Sequence, residues 1–181
     1  MFYFVGGAPR TGKSILGHQI ATKLNIGWIS TDILVEMLRV KKEDGIKTEW
    51  NAAPEAISND AEWFFPYLER FVWRLTSHTE NYLIEGVDFL PVHINKLSNQ
   101  YAVKSVFLGN SNMTLDQFDH FPGHTHGYSN LPEDVRQQYV NDIPHWSDYV
   151  RQEAIHFNYP FVDMYDDFSS RLVEAETLLT S

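Results

Sequence analysis

The chain has 181 residues, 43% of them hydrophobic, which suits one domain with a sizeable core. Its 14 basic and 24 acidic side chains leave a formal charge of −10, with no basic cluster beyond Lys41-Lys42, so a nucleic-acid partner, which needs a basic face, is not expected. There is no cysteine, which excludes disulfides and thiolate metal sites and fits a reducing cytoplasm.

The opening "MFYFVGG" carries no cationic leader, and no window holds the roughly 18 apolar residues of a membrane span. A cytoplasmic chain without a membrane partner is the expectation. Phe2 to Val5 is an apolar run ending in Gly6-Gly7 and reads as a buried strand. From Lys13, the residues Ile15, Leu16, Ile20 and Leu24 recur with helical spacing. "IGWIS" (26–30) reads as a second strand. Ser30 or Thr31 then caps a helix beginning near Asp32, with Ile33, Leu34, Met37 and Leu38 on its apolar face. Residues 41–56 are polar, contain Gly and Pro, and read as a loop.

Asn59 with Glu62 resembles a capping box before a helix marked by Trp63, Tyr67 and Phe71, and Pro66 either kinks that helix or sets its start. Tyr82 to Ile84 forms a third strand with a turn at Gly86, 102–110 a fourth, and 159–164 a fifth. Helical patterns occupy 92–99, two pieces between about 132 and 157, and 167–179, with Pro144 suited to the first turn of the second piece. Ser111 to Leu131 is the longest irregular stretch, of a length typical of lids. Strands alternating with helices predict an α/β fold with a parallel sheet covered on both faces. The whole of 1–181 reads as a single domain with a lid-like insertion at about 111–143.

Gly7-Ala8-Pro9-Arg10-Thr11-Gly12-Lys13-Ser14 matches G-x-x-x-x-G-K-[ST] in full. Gly7 and Gly12 allow the chain to approach phosphate closely, and the amide N–H groups of the loop form an anion nest. A helix starting near Lys13 aims its positive dipole end at the same point. The Lys13 ammonium then reaches the β- and γ-phosphates and the Ser14 hydroxyl ligates Mg²⁺. Gly7 to Ile15 is the expected ATP-holding stretch. Within it Arg10 either touches phosphate or faces solvent.

The stretches "GGAPRTGKS" (6–14), "ISTDILVEMLR" (29–39), "LIEGVDFLP" (83–91) and "YPFVDMYDDF" (159–168) together resemble the small-molecule kinase branch of P-loop proteins. The likeness is to the 2-phosphoglycerate-kinase-like group and, more distantly, to shikimate, gluconate and zeta-toxin kinases. It implies a five-stranded parallel P-loop sheet in the order 2-3-1-4-5, with helices on both faces and a lid. It also implies a reaction, transfer of the γ-phosphoryl group of ATP to a hydroxyl of a small-molecule acceptor, with Mg²⁺. In that frame Asp32 orients or deprotonates the acceptor hydroxyl, although Ser-Thr-Asp is also ordinary helix-capping chemistry. Glu85 stands where P-loop proteins place a magnesium carboxylate, with Asp88 as competitor or acceptor contact. Arg39, two turns after Asp32, is a candidate for an anionic acceptor group or a plain surface residue. Arg171, after Asp166-Asp167, is a candidate to stack on adenine.

The resemblance also implies lid arginines, yet 110–135 contains neither Lys nor Arg. Arg136 and Arg151 are the next candidates to neutralise the transferring phosphoryl group. The same stretch holds His120, His124 and His126, either a polar loop, a phosphate contact or a transition-metal set. A nucleotide sensor with weak ATPase activity is the alternative function, and a metal-binding protein a third.

Overall fold

Five apolar runs form the five strands of one parallel sheet, ordered β2-β3-β1-β4-β5. The computed structural model describes residues 1–39, 52–120 and 130–181, without the side chains of Arg39 and His120. The strands are β1 (Phe2–Gly7), β2 (Gly27–Ser30), β3 (Tyr82–Glu85), β4 (Val103–Gly109) and β5 (Phe161–Asp163). The helices between them are α1 (Lys13–Leu24), α2 (Thr31–Arg39), α3 (Pro54–Leu75), α4 (Pro91–Ser98), α5 (Leu115–His120), α6 (Glu133–His156) and α7 (Phe168–Thr180). Strand order and parallel sense are those implied above.

Side chains alternate across the sheet, and this sorts the core into two layers. Phe2, Phe4, Ile84 and Phe107 face α3, α4 and α6, where Phe64, Leu68, Ile94 and Val150 meet them. Val5, Leu83, Val106, Leu108 and Val162 face α1 and α7, against Leu16, Ile20, Leu172 and Leu179. A third cluster joins Ala8, just past β1, to Met113, Phe118, Val140 and Ile143. It ties α5 and the first turns of α6 to the end of the central strand.

Three helices depart from the sequence reading. α3 starts at Pro54, not near Asn59, because Ala53 is extended and Pro54 takes the first helical position. Pro66 lies inside this helix on an exposed face, while Ile57, Ala61, Phe64, Leu68 and Val72 form the buried stripe that carries it.

The two helical pieces expected between 132 and 157 are one helix, α6, with Pro144 in its interior. An interior proline costs about 3 kcal/mol. Burying apolar side chains returns about 1.5–3 kcal/mol each, and Val140, Ile143, Val150 and Ala154 are buried on both sides of the proline. Packing therefore outweighs the break.

Within Ser111–Leu131, residues Leu115–His120 are helical. Thr114 and Gln117 cap that helix reciprocally: the Gln117 N–H donates to Thr114 Oγ1 at 3.2 Å, and the Thr114 N–H donates to Gln117 Oε1 at 3.1 Å. Residues 133–143 of the expected insertion belong to α6.

Candidate active site

β1 delivers the phosphate-loop sequence to the centre of the sheet, beside β4. Gly7 has φ 128°, and a Cβ there would lie 1.9 Å from the Leu108 carbonyl oxygen, so only glycine fits. The Ala8 N–H donates to that same oxygen at 3.0 Å. The loop then turns on itself, with Thr11 Oγ1 donating to the Ala8 carbonyl at 2.8 Å. Gly12, with φ 89°, opens α1 without a side-chain cap. The unpaired first-turn N–H groups of α1 are left for an anion. Lys13 is 7% exposed, and its ammonium donates to the Ala8 carbonyl at 2.6 Å, folded back across the loop.

Glu85 ends β3 between two partners in register, Val5 on one side and Ser30 on the other. It is 1% exposed. Its carboxylate accepts from Ser14 Oγ at 3.1 Å and from the Ser30 side chain. Burial pushes the Glu85 carboxyl up from the usual carboxylate range, opposed chiefly by the charge of Lys13. Burial likewise pushes the Lys13 ammonium down, opposed by Glu85, Asp32 and Asp88. One cation thus sits among three acids. Asp32 is exposed in the first turn of α2, and Asp88 is half-buried in the turn after β3.

The turn carrying Asp88 is pinned to α2. Thr31 Oγ1 donates to Asp88 Oδ2 at 2.5 Å, and the Gly86 N–H donates to the Val5 carbonyl at 3.1 Å. A Cβ on Gly86 would lie 1.7 Å from Thr31 Oγ1. Gly86→Ala is expected to displace Thr31, break its bond to Asp88 and cost about 1–3 kcal/mol, as overpacking does. A lowered urea midpoint with an unchanged m-value would show it, and an unchanged midpoint would refute the tight fit.

Arg10 is half-buried and its side chain reaches across to α5. Its backbone has φ 58°, and its guanidinium donates to the Phe118 carbonyl and sits 5.2 Å from the Phe118 ring centroid. Arg136, in the first turns of α6, pairs with Asp119. It lies one helical turn before Val140, which shares a buried cluster with Ala8. Arg151 is elsewhere on α6, with its side chain 55% exposed and paired to Asp148 at 2.5 Å. Arg171 pairs with Glu174 at 2.7 Å along α7 and with Asp166 at 3.8 Å just before it, and Asp167 caps the helix by accepting from the Ser170 N–H at 3.2 Å.

The Arg39 and His120 side chains, His124, His126 and the 40–51 segment lie outside the described residues. Among the described residues, no three His, Asp or Glu side chains are placed to share a metal, and no helix is long and apolar enough to cross a membrane. A cleft of about 720 Å³ separates Ala53 and Pro54 from Gln138, Asp142, His145 and Tyr149 of α6, and none of its lining residues belongs to the loop cluster.

The fold therefore brings Lys13, Ser14, Asp32, Glu85 and Asp88 together and leaves Arg151 and Arg171 in ion pairs on their own helices. Four further participants were not among the sequence candidates: Ser30 and Thr31 as hydroxyl partners of the acids, and Phe118 and Asp119 as arginine anchors. The Thr114–Gln117 capping box is the one local signal that announces α5, and with it the last two.

No protein-family model matches the chain, and no match exists among curated proteins. Solved structures do match. A gluconokinase from Sinorhizobium meliloti 1021 superposes with a TM-score of 0.50 at 20% identity, over 98% of this chain and 90% of that one. The shikimate kinase of Bacteroides thetaiotaomicron gives 0.54 at 17% identity, over 100% and 99%. That of Acinetobacter baumannii, solved in complex with shikimate, gives 0.55 at 15%, over 98% and 90%. At these identities the likeness is one of fold: the chain has the five-stranded parallel P-loop architecture of the gluconokinase and the shikimate kinases.

Proposed function

We propose that the protein is a phosphotransferase that moves the γ-phosphoryl group of ATP to a hydroxyl of a small molecule. The observation that carries this reading is the convergence of the Gly7–Ser14 loop, a buried lysine and three carboxylates at or just past the ends of neighbouring strands. The neighbours' fold favours it as well.

The residues fit MgATP. The Ser14 hydroxyl and the Glu85 carboxylate, 3.1 Å apart, are hard oxygen donors of the kind Mg²⁺ takes. The loop offers N–H groups and a dry ammonium to phosphate oxygens. MgATP, when bound, supplies the transferable phosphoryl group and a divalent charge. Lys13 neutralises phosphate oxygens, Ser14 and Glu85 hold the metal, and Asp32 orients the acceptor hydroxyl and takes its proton. Asp88, fixed by Thr31, is a second carboxylate offered to the acceptor. Arg136 is the second cation, and transfer depends on such positioning and charge neutralisation.

Magnesium-dependent ADP release, measured with and without a panel of sugar acids, polyols, nucleosides and amino alcohols, tests the reading. Acceptor-stimulated release is expected, and Asp32→Asn should lower it about 10²-fold while leaving ATP affinity nearly unchanged. Full turnover in Asp32→Asn with a native fold would remove Asp32 from the reaction. ATP binding without stimulation by any acceptor would favour the sensor with weak ATPase activity.

A further inference from the structure

We infer that Arg10 is a positioning residue: it acts on the phosphoryl group through α5, by holding Arg136 in place. The inference rests on the phosphotransferase reading and adds a residue to it.

The geometry runs through three contacts. Arg10 Nη2 donates to the Phe118 carbonyl near the C-terminal end of α5, and the guanidinium lies over the Phe118 ring. The next residue, Asp119, carries the carboxylate that pairs with Arg136 Nη1. Phe118 is itself buried against Ala8, Val140 and Ile143, so one short helix is clamped between the loop and α6. The Arg136 side chain is 20% exposed and that of Asp119 23%, so their pair is shielded from solvent far more than that of Arg151 with Asp148, at 55% and 47%.

Two features argue that this arrangement is specific. Arg10 occupies the left-handed region at φ 58°, which a residue with a Cβ rarely adopts unless its surroundings impose it. Its long side chain reaches 108 residues along the sequence to the Phe118 carbonyl. One donor of the guanidinium is held by a helix carbonyl and its face by an aromatic ring, both on α5. The chain also carries no Lys or Arg from 110 to 135, so Arg136 is the first cation after β4 that a strut from the loop can fix.

The test uses Arg10→Gly, because glycine adopts the observed backbone angle and so keeps the loop's shape while removing the arm. Affinities for ADP and for a non-hydrolysable ATP analogue are measured by calorimetry, with Mg²⁺, in the unmodified protein, Arg10→Gly, Arg136→Ala and the double variant. ADP affinity should stay within about twofold in Arg10→Gly. The preference for the γ-phosphate-bearing analogue should fall about tenfold, equally in each single variant and no further in the double one. Asp119→Asn should reproduce the same loss from the other end of the clamp.

A direct phosphate role would instead weaken ADP binding in Arg10→Gly and add to the Arg136→Ala loss, and that result overturns the inference. So does a preference that survives Arg10→Gly intact. Absence of nucleotide binding in the unmodified protein would overturn the phosphotransferase reading itself, and the strut with it.

Discussion

Lys13→Met is expected to lower magnesium-dependent ADP release about 10³-fold while preserving the fold. Removing one charge-stabilising donor from a preorganised site costs about 10²–10³ in rate. Lys13 is the buried cation among three acids, so the loss should lie at the upper end. Methionine keeps the stem that packs in the loop and deletes only the ammonium. The bond to the Ala8 carbonyl goes with it, and Glu85 is left buried without its main counter-charge.

A second substitution separates chemistry from stability. Glu85→Gln in the Lys13→Met background removes the stranded charge, so the urea midpoint should recover in part while turnover stays lost. Recovery of turnover would place catalysis somewhere other than this lysine.

The pH dependence follows from Glu85. Its carboxyl is raised by burial, so the folded protein binds that proton more tightly than the unfolded chain. The stability it contributes is full below the ordinary carboxylate range and is lost as pH climbs through the raised value. Lys13→Met should steepen that loss, because the opposing charge is gone.

Arg136→Ala is expected to reduce acceptor-stimulated turnover about 10³-fold, and Arg151→Ala to leave it within about twofold. Arginines that stabilise the transferring phosphoryl group are worth about 10³–10⁵ where they act. The two candidates look alike in sequence, since both follow the same lysine- and arginine-free stretch. They differ in placement. Arg136 stands a turn from Val140, in the cluster that includes loop residue Ala8, whereas Arg151 is bound to Asp148 on an open surface. Such an exposed pair contributes about 0–1 kcal/mol. Arg136→Lys should recover little, because a point charge does not reproduce the planar fork. Equal losses in the two alanine variants would refute the distinction.

The parts of this site that are legible in sequence are the ones written locally. Gly7 to Ser14 needs only its own spacing, and the five strands announce themselves as short apolar runs between turns. The contacts between elements are another matter. Ser14 meets Glu85 across 71 residues and Thr31 meets Asp88 across 57, and only the strand register brings them together.

Arg10 shows the same limit at one side chain. Sequence offers phosphate or solvent, and the fold adds a contact no local pattern announces, a carbonyl on a helix that looked like loop. Pro144 misleads for a related reason. Proline is a strong local signal, but buried residues before it pack against Ala8 and Phe118, those after it pack on the sheet, and together they keep one helix running.

The central position of β1 has a consequence for the making of the protein. Phe2 pairs with Tyr82 on one side and Val103 on the other, and Gly7 with Leu108. At a synthesis rate of about 5–20 residues per second, roughly 5–20 s separate the emergence of β1 from that of β4. An apolar strand waits with both edges open until β3 emerges and with one open until β4 does, a state that chaperones recognise and that pairing with other chains would trap. Pairings this distant in sequence also slow folding once the chain is free. The shape of the Gly7–Ser14 loop is therefore among the last features to form, and a ribosome-bound chain stopped before Leu108 carries the loop's sequence without its shape.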